Sequence, residues 1–181
     1  TFFTDAKIPA SCLMGEEGGG WMVAMKTLEY ERGVTAGQAS GYWGVTIQVD
    51  DTIEELSKLE HDGEPLLSDP VVRNDLVGFI MEAKALSLTG RRSGIPALTS
   101  DYPMGLALSV KYRGTEYERR MKQYTASKQG AQSALYVGDA DAVSGGFWQR
   151  AYFSNFGATI GGGTTQVQAN IVAEHVLGLP K

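Results

Sequence analysis

Apolar positions along much of this chain recur at steps of three and four, the spacing that places side chains on one face of a helix. Trp21, Ala24, Met25 and Leu28 predict a short helix from about Trp21 to Glu29. Tyr42, Val45, Val49, Ile53 and Leu56 predict a longer one from about Glu31 to Lys58. The early half of that segment carries Gly33, Gly37, Gly41 and Gly44. Each glycine costs a helix about 1 kcal/mol relative to alanine, so the segment packs closely against a neighbour or leaves room for a ligand. Val72, Leu76, Phe79, Ile80, Ala83 and Leu86 form the apolar face of a third helix. It opens on Ser68-Asp69-Pro70, a capping side chain followed by a first-turn proline, and stops near Gly90. Leu106, Val110, Tyr117, Met121 and Tyr124 give a stripe from about Met104 to Ser127. Two further helices are expected at Phe147 to Phe156 and at Thr164 to Leu177, the last stopped by Gly178 and Pro180.

Between these elements the pattern breaks. His61-Asp62-Gly63-Glu64-Pro65 reads as a loop, and Gly130 to Gly146 as a long loop without strong periodicity. The opening stretch TFFTDAKIP, aromatic and β-branched up to Pro9, reads as a strand. A lone strand needs a sheet to pair with. Long helices with short connections predict an all-α, up-down-up-down four-helix bundle with a short N-terminal extended segment.

Composition narrows the function classes. The chain has 181 residues, 43% of them hydrophobic, enough for one sizeable core. The net charge of −5, from 16 basic and 21 acidic residues, gives no electrostatic footprint for nucleic acid. The basic run Lys111, Arg113, Arg119, Arg120, Lys122 and Lys128 is interleaved with Glu116 and Glu118 and reads as a solvated face, with a rim for a phosphate-bearing ligand as the alternative. No apolar run approaches the roughly 20 residues that span a bilayer. A single cysteine, Cys12, excludes an internal disulfide framework, and a reducing compartment (bacterial cytoplasm, or mitochondrial matrix in a eukaryote) is expected. His61 and His175 are too isolated for a metal set. Gly161-Gly162-Gly163 precedes a helix, but no Gly-x-Gly-x-x-Gly follows a strand and no Gly-Lys-Ser/Thr occurs, so both nucleotide-binding motifs fail. The chain opens on Thr1 rather than methionine, directly on an apolar segment, as a piece of a longer protein would.

The terminal stretch ATIGGGTTQVQANIVAEHVLGLP, the opening TFFTDAKIPASCLMGEEGGGWMVAMKTLEYERG and the central phrase DPVVRNDLVGFIMEAKALSLTG together resemble acyl-CoA dehydrogenases. The resemblance implies that residues 1–19 are the remnant of a middle β-domain with its linker, and that 20–181 are the C-terminal helical bundle domain. It implies an FAD enzyme that oxidises the Cα–Cβ bond of an acyl-CoA thioester. A carboxylate removes the α-proton, and donors stabilise the developing enolate.

Many relatives carry the base immediately before a Gly-Thr pair. Here that position is Gly162, followed by Gly163-Thr164, and no carboxylate is available. Other members place the base directly before an arginine on the long helix, a slot filled here by Glu31 before Arg32. The resemblance therefore assigns Glu31 as general base and Arg32 to substrate or base. Leu28 and Glu29 fall where relatives meet the CoA moiety, and the Gly162 N–H is placed to donate to the thioester oxygen. Thr164 and Gln166 match positions near the flavin; their bland alternative is a helix cap and a solvated amide. The Arg-x-x-Phe-Gly stretch with which many relatives reach a partner's FAD is missing from SKLEHDGEPLLSDP.

The implied partners are the acyl-CoA, an electron-transferring flavoprotein, and further copies in a homodimer or homotetramer. A non-catalytic helical module of the same family, and a related flavin oxidase, are the alternative readings.

Overall fold

The computed structural model describes residues 1–28, 48–92, 94–99 and 104–180. The expectations for Glu29, Glu31, Arg32, Tyr42 and Val45 lie outside the described residues. Six helices are described: α1 (20–28), α2 (Val49–Ser57), α3 (Pro70–Arg92), α4 (Met104–Ser127), α5 (Phe147–Ile160) and α6 (Thr165–His175). Of these, α2 to α6 form an all-α bundle with α4 at its hub, in contact with α2, α3, α5 and α6.

Local chemistry sets the starts of three helices. Asp69 accepts the Val71 N–H at 2.7 Å, so α3 starts at its proline. Thr164 caps α6 by accepting the Val167 N–H at 3.2 Å. The single helix expected from Glu31 to Lys58 is corrected at Gln48. Its extended backbone (φ −84°, ψ 159°) makes Val49 a fresh start, fastened by the Gln48 N–H on Asp51 at 2.6 Å. The cap chemistry there overrides an apolar repeat that runs straight through.

The expected strand at residues 1–9 is also corrected: these residues are exposed, and among the described residues they take part in no strand pairing. Extended backbone becomes a strand only when another strand takes its hydrogen bonds. Conversely, the loop at 61–65 belongs to a small hairpin pairing Glu60–His61 with Glu64–Pro65. Asp62 (φ 53°) and Gly63 (φ 82°) turn it, both left-handed as a tight hairpin demands.

Two apolar clusters hold the bundle. Leu56, Leu66, Val72 and Leu76 join α2 to α3; Tyr117, Met121, Ala126 and Trp148 join α4 to α5. Phe79 bridges them, with ring centroids 6.0 Å from Tyr117 and 5.3 Å from Tyr124. Burial pushes the Tyr117 hydroxyl up to about 12. Ile80, expected on the core face of α3, is instead exposed.

Polar side chains share the interior. Glu55 is buried and accepts from Gln129 Nε2 at 3.0 Å and from Ser144 Oγ at 2.8 Å. Gln149 Nε2 in turn donates to Gln129 Oε1 at 2.6 Å. The network pins the loop between α4 and α5, where Ser144, Gly145 and Gly146 are all left-handed. The basic run of α4 is not uniformly a solvated face: Lys122 is buried, donating to Glu118 at 2.8 Å and to Asn155 at 2.6 Å. Its paired partners offset the cost of burying the charge.

Candidate functional site

The break between α5 and α6 brings a bare stretch of backbone to the surface. Helix α5 closes at Gly161, whose N–H donates to the Gly157 carbonyl at 2.8 Å. Gly162 and Gly163 then take φ of 66° and 98°, left-handed values that glycine adopts without steric cost.

Side chains from two helices hold this turn from behind. Gln168 of α6, fully buried, donates through Nε2 to the Gly162 carbonyl at 2.6 Å. Lys111 of α4 donates through Nζ to the Gly163 carbonyl at 2.6 Å. A β-carbon on Gly163 would collide with the Gln168 amide, while one on Gly162 would lie 3.9 Å from Lys111 Cε. The space a side chain at 162 would enter therefore borders the Lys111 stem. One turn of α4 further on, Glu116 accepts from Thr165 Oγ1 at 2.9 Å and from Arg119 Nε at 3.0 Å. Burial alone would raise the Glu116 carboxyl, but the Thr165 and Arg119 hydrogen bonds and the Arg119 charge outweigh it and lower it below the ordinary carboxylate value.

Peptide geometry turns these anchors into direction. In a trans peptide the carbonyl and the following N–H point opposite ways. Gly162 C=O facing Gln168 turns the Gly163 N–H away from Gln168, and Gly163 C=O facing Lys111 turns the Thr164 N–H away from Lys111. Gly162 itself is exposed, and no acceptor for its N–H is found among the described residues.

Of the residues expected from the sequence, Gly162, Thr164 and Gln166 lie together here, Thr164 half-buried and Gln166 exposed. Leu28 stands at the end of the described part of α1, 38% exposed. Glu29, Glu31 and Arg32 lie outside the described residues. Lys111 and Glu116 are named from the sequence only within the basic run of α4 and not at this turn, and Gln168 carries no sequence-based expectation. Gln168 sits four residues after Thr164 and was legible from helical spacing; Lys111 lies 52 residues from its acceptor, with no local signal. A separate cavity of about 260 Å³ between α3 and α4 is lined by Thr89, Arg92, Ser109, Tyr112 and Arg113, the last a member of the basic run whose alternative reading is a ligand rim. Among the described residues no cluster of His, Cys, Asp or Glu could hold a metal, and no helix is long and apolar enough to cross a membrane.

Comparison with known proteins gives one family. The profile of the acyl-CoA dehydrogenase C-terminal domain matches residues 18–177. Acyl-CoA dehydrogenase IpdE1 of Mycolicibacterium smegmatis is 33% identical over 99% of this chain and 42% of its own length. FadE34 of Mycobacterium tuberculosis, also an acyl-CoA dehydrogenase, is 26% identical over 99% of this chain and 22% of its own. The chain thus spans less than half the length of these relatives. Among solved structures, a putative acyl-CoA dehydrogenase from Mycobacterium smegmatis superposes with a TM-score of 0.76 at 22% identity, covering 99% of this chain and 44% of that one. The Tcur3481–Tcur3483 steroid acyl-CoA dehydrogenase gives 0.75 at 24% identity, over 99% and 45%. These two likenesses establish the fold.

Proposed function

The chain belongs to the acyl-CoA dehydrogenase family, and from that premise we propose that it is part of an enzyme dehydrogenating the Cα–Cβ bond of an acyl-CoA thioester with FAD. Residues 1–19 would then close a middle β-domain, and 20–181 form the C-terminal bundle. The observation that carries this reading is the Gly161–Gly163 break. It offers a side-chain-free turn with Gly162 exposed and its N–H without an acceptor among the described residues, in one of the stretches that resemble the family.

The chemistry follows from what each residue can do. Glu31 takes the α-proton as general base. The Gly162 N–H donates to the thioester carbonyl oxygen, where negative charge develops, and donation needs no side chain. Arg32 steadies the base or the substrate, and Leu28 and Glu29 border the CoA moiety. Glycine at 162 supplies no competing carboxylate, so the base comes from elsewhere. The residues beside the break fit a flavin: exposed Gln166 offers an amide, Thr164 a hydroxyl, and exposed Ile160 and Val167 apolar surface for a ring. FAD, when bound, accepts the hydride equivalent from the β-carbon. An electron-transferring flavoprotein would then take the electrons. Assembly with further chains draws support from solved relatives described as complexes of two chains, such as ChsE4–ChsE5 of Mycobacterium tuberculosis; a homodimer or homotetramer is the arrangement we propose.

The test is Glu31→Gln in the full-length protein, assayed with an artificial electron acceptor. Loss of the general base should lower kcat by roughly 10²–10⁴-fold. Undiminished turnover would place the base elsewhere. Peroxide formation under oxygen would favour an oxidase, and an inactive parent protein would favour the non-catalytic module.

A further inference from the structure

We propose that Lys111 is a positioning residue for this site: from α4 it locks the triple-glycine turn that presents backbone donors to the substrate. The inference rests on the proposed reaction but names a residue that the reading itself does not require.

Three glycines in a row have more backbone freedom to lose than any other tripeptide. A donor used to stabilise a developing oxyanion must already be aimed before charge appears, since reorientation during the reaction forfeits most of its value. The turn therefore needs external restraint. Three contacts supply it: Gly161 N–H on Gly157 at 2.8 Å, Gly162 C=O on Gln168 at 2.6 Å, and Gly163 C=O on Lys111 at 2.6 Å. The first two stay within α5, the break and α6. Of the three, only the Lys111 bond ties the turn to the hub helix, and it is charge-assisted, hence stronger than a neutral bond. The Lys111 stem also runs beside the space left open at Gly162, 3.9 Å from where a β-carbon would stand. A positive charge is thereby held next to the slot that carries a carboxylate in many relatives. There it favours negative charge on a substrate oxygen and disfavours loss of the restraint.

The test uses the full-length, FAD-loaded protein with Lys111→Met, which keeps the length and removes charge and donor, and Lys111→Arg, which keeps both. The readouts are kcat, KM, thermal midpoint, and the apparent pKa of a bound β-ketoacyl-CoA, followed by the ultraviolet absorbance of its enolate. In Lys111→Met, kcat should fall about 10–100-fold, as misplacement of a reacting group by an ångström does. KM should change little, and the bound ligand should ionise at higher pH than in the parent. Lys111→Arg should recover most of both losses. An unchanged kcat and ligand ionisation in a folded Lys111→Met protein overturns the proposal. So does a loss that tracks only the thermal midpoint, with normal ligand ionisation in the folded fraction. Should Lys111→Met fail to fold, Lys111→Leu, which likewise removes both charge and donor, takes its place under the same criteria. A parent protein without dehydrogenase activity would instead refute the proposed function.

Discussion

Leu56 and Glu55 are neighbours in sequence and both lie in the interior, yet only one of them announces it. Leu56 continues a helical repeat and is fully buried. Its replacement by alanine should cost about 2–5 kcal/mol by the lost transfer energy and the cavity left behind, measurable by urea unfolding. Glu55 reads as an acid on a solvated face, because its partners Gln129 and Ser144 are 74 and 89 residues away. Glu55→Ala strands those donors and should cost about 1–3 kcal/mol. A penalty near zero would mean the network is ornamental to stability. Glu116 makes the case for pH. Its carboxyl is lower in the folded chain than its ordinary value, so its bonds to Thr165 and Arg119 stabilise the fold above the ordinary carboxylate range. That stabilisation is lost as pH falls through the lowered value. Glu116→Gln should therefore be less stable than the parent at neutral pH, with the gap narrowing on acidification.

At the scale of elements, termini were more legible than connections. Ser68-Asp69-Pro70 and the Thr164 cap act where the sequence placed them, since a cap is a contact across two or three residues. Thr164→Ala should cost about 1 kcal/mol through the lost α6 cap, whereas Thr164→Ser should be nearly neutral. If Thr164→Ser also impairs flavin binding in the full-length protein, the side chain serves the cofactor beyond capping. The connection at 143–146 had no periodicity to read. Its left-handed Gly146 (φ 73°) packs so closely that a β-carbon would come within 2.5 Å of the Val137 nitrogen. Gly146→Ala should destabilise the chain by at least the roughly 1–3 kcal/mol of a strained backbone position.

At the scale of the molecule, large apolar side chains lie exposed among the described residues. Trp21 is 75% exposed, and Phe153, Phe156 and Ile160 emerge along α5. The α5 residues, at steps of three and four, share one face, and exposed apolar surface of that kind marks contact with other protein or with a ligand. The 181-residue chain by itself should therefore associate in a concentration-dependent way and retain little FAD. Analytical gel filtration with flavin absorbance checks both, and a monomer that stays yellow would contradict the expectation.

The helical class, most helix starts and stops, much of the buried stripe and the family are legible in the residue order alone, because each rests on spacing within a few residues or on quoted motifs. Tertiary structure decided which polar groups are interior. Glu55, Lys122 and Lys111 look like surface charges until helices distant in sequence bring Gln129, Asn155 and the Gly163 carbonyl to them. Those pairings depend on how helices cross, and a one-dimensional pattern records only the face that each helix buries.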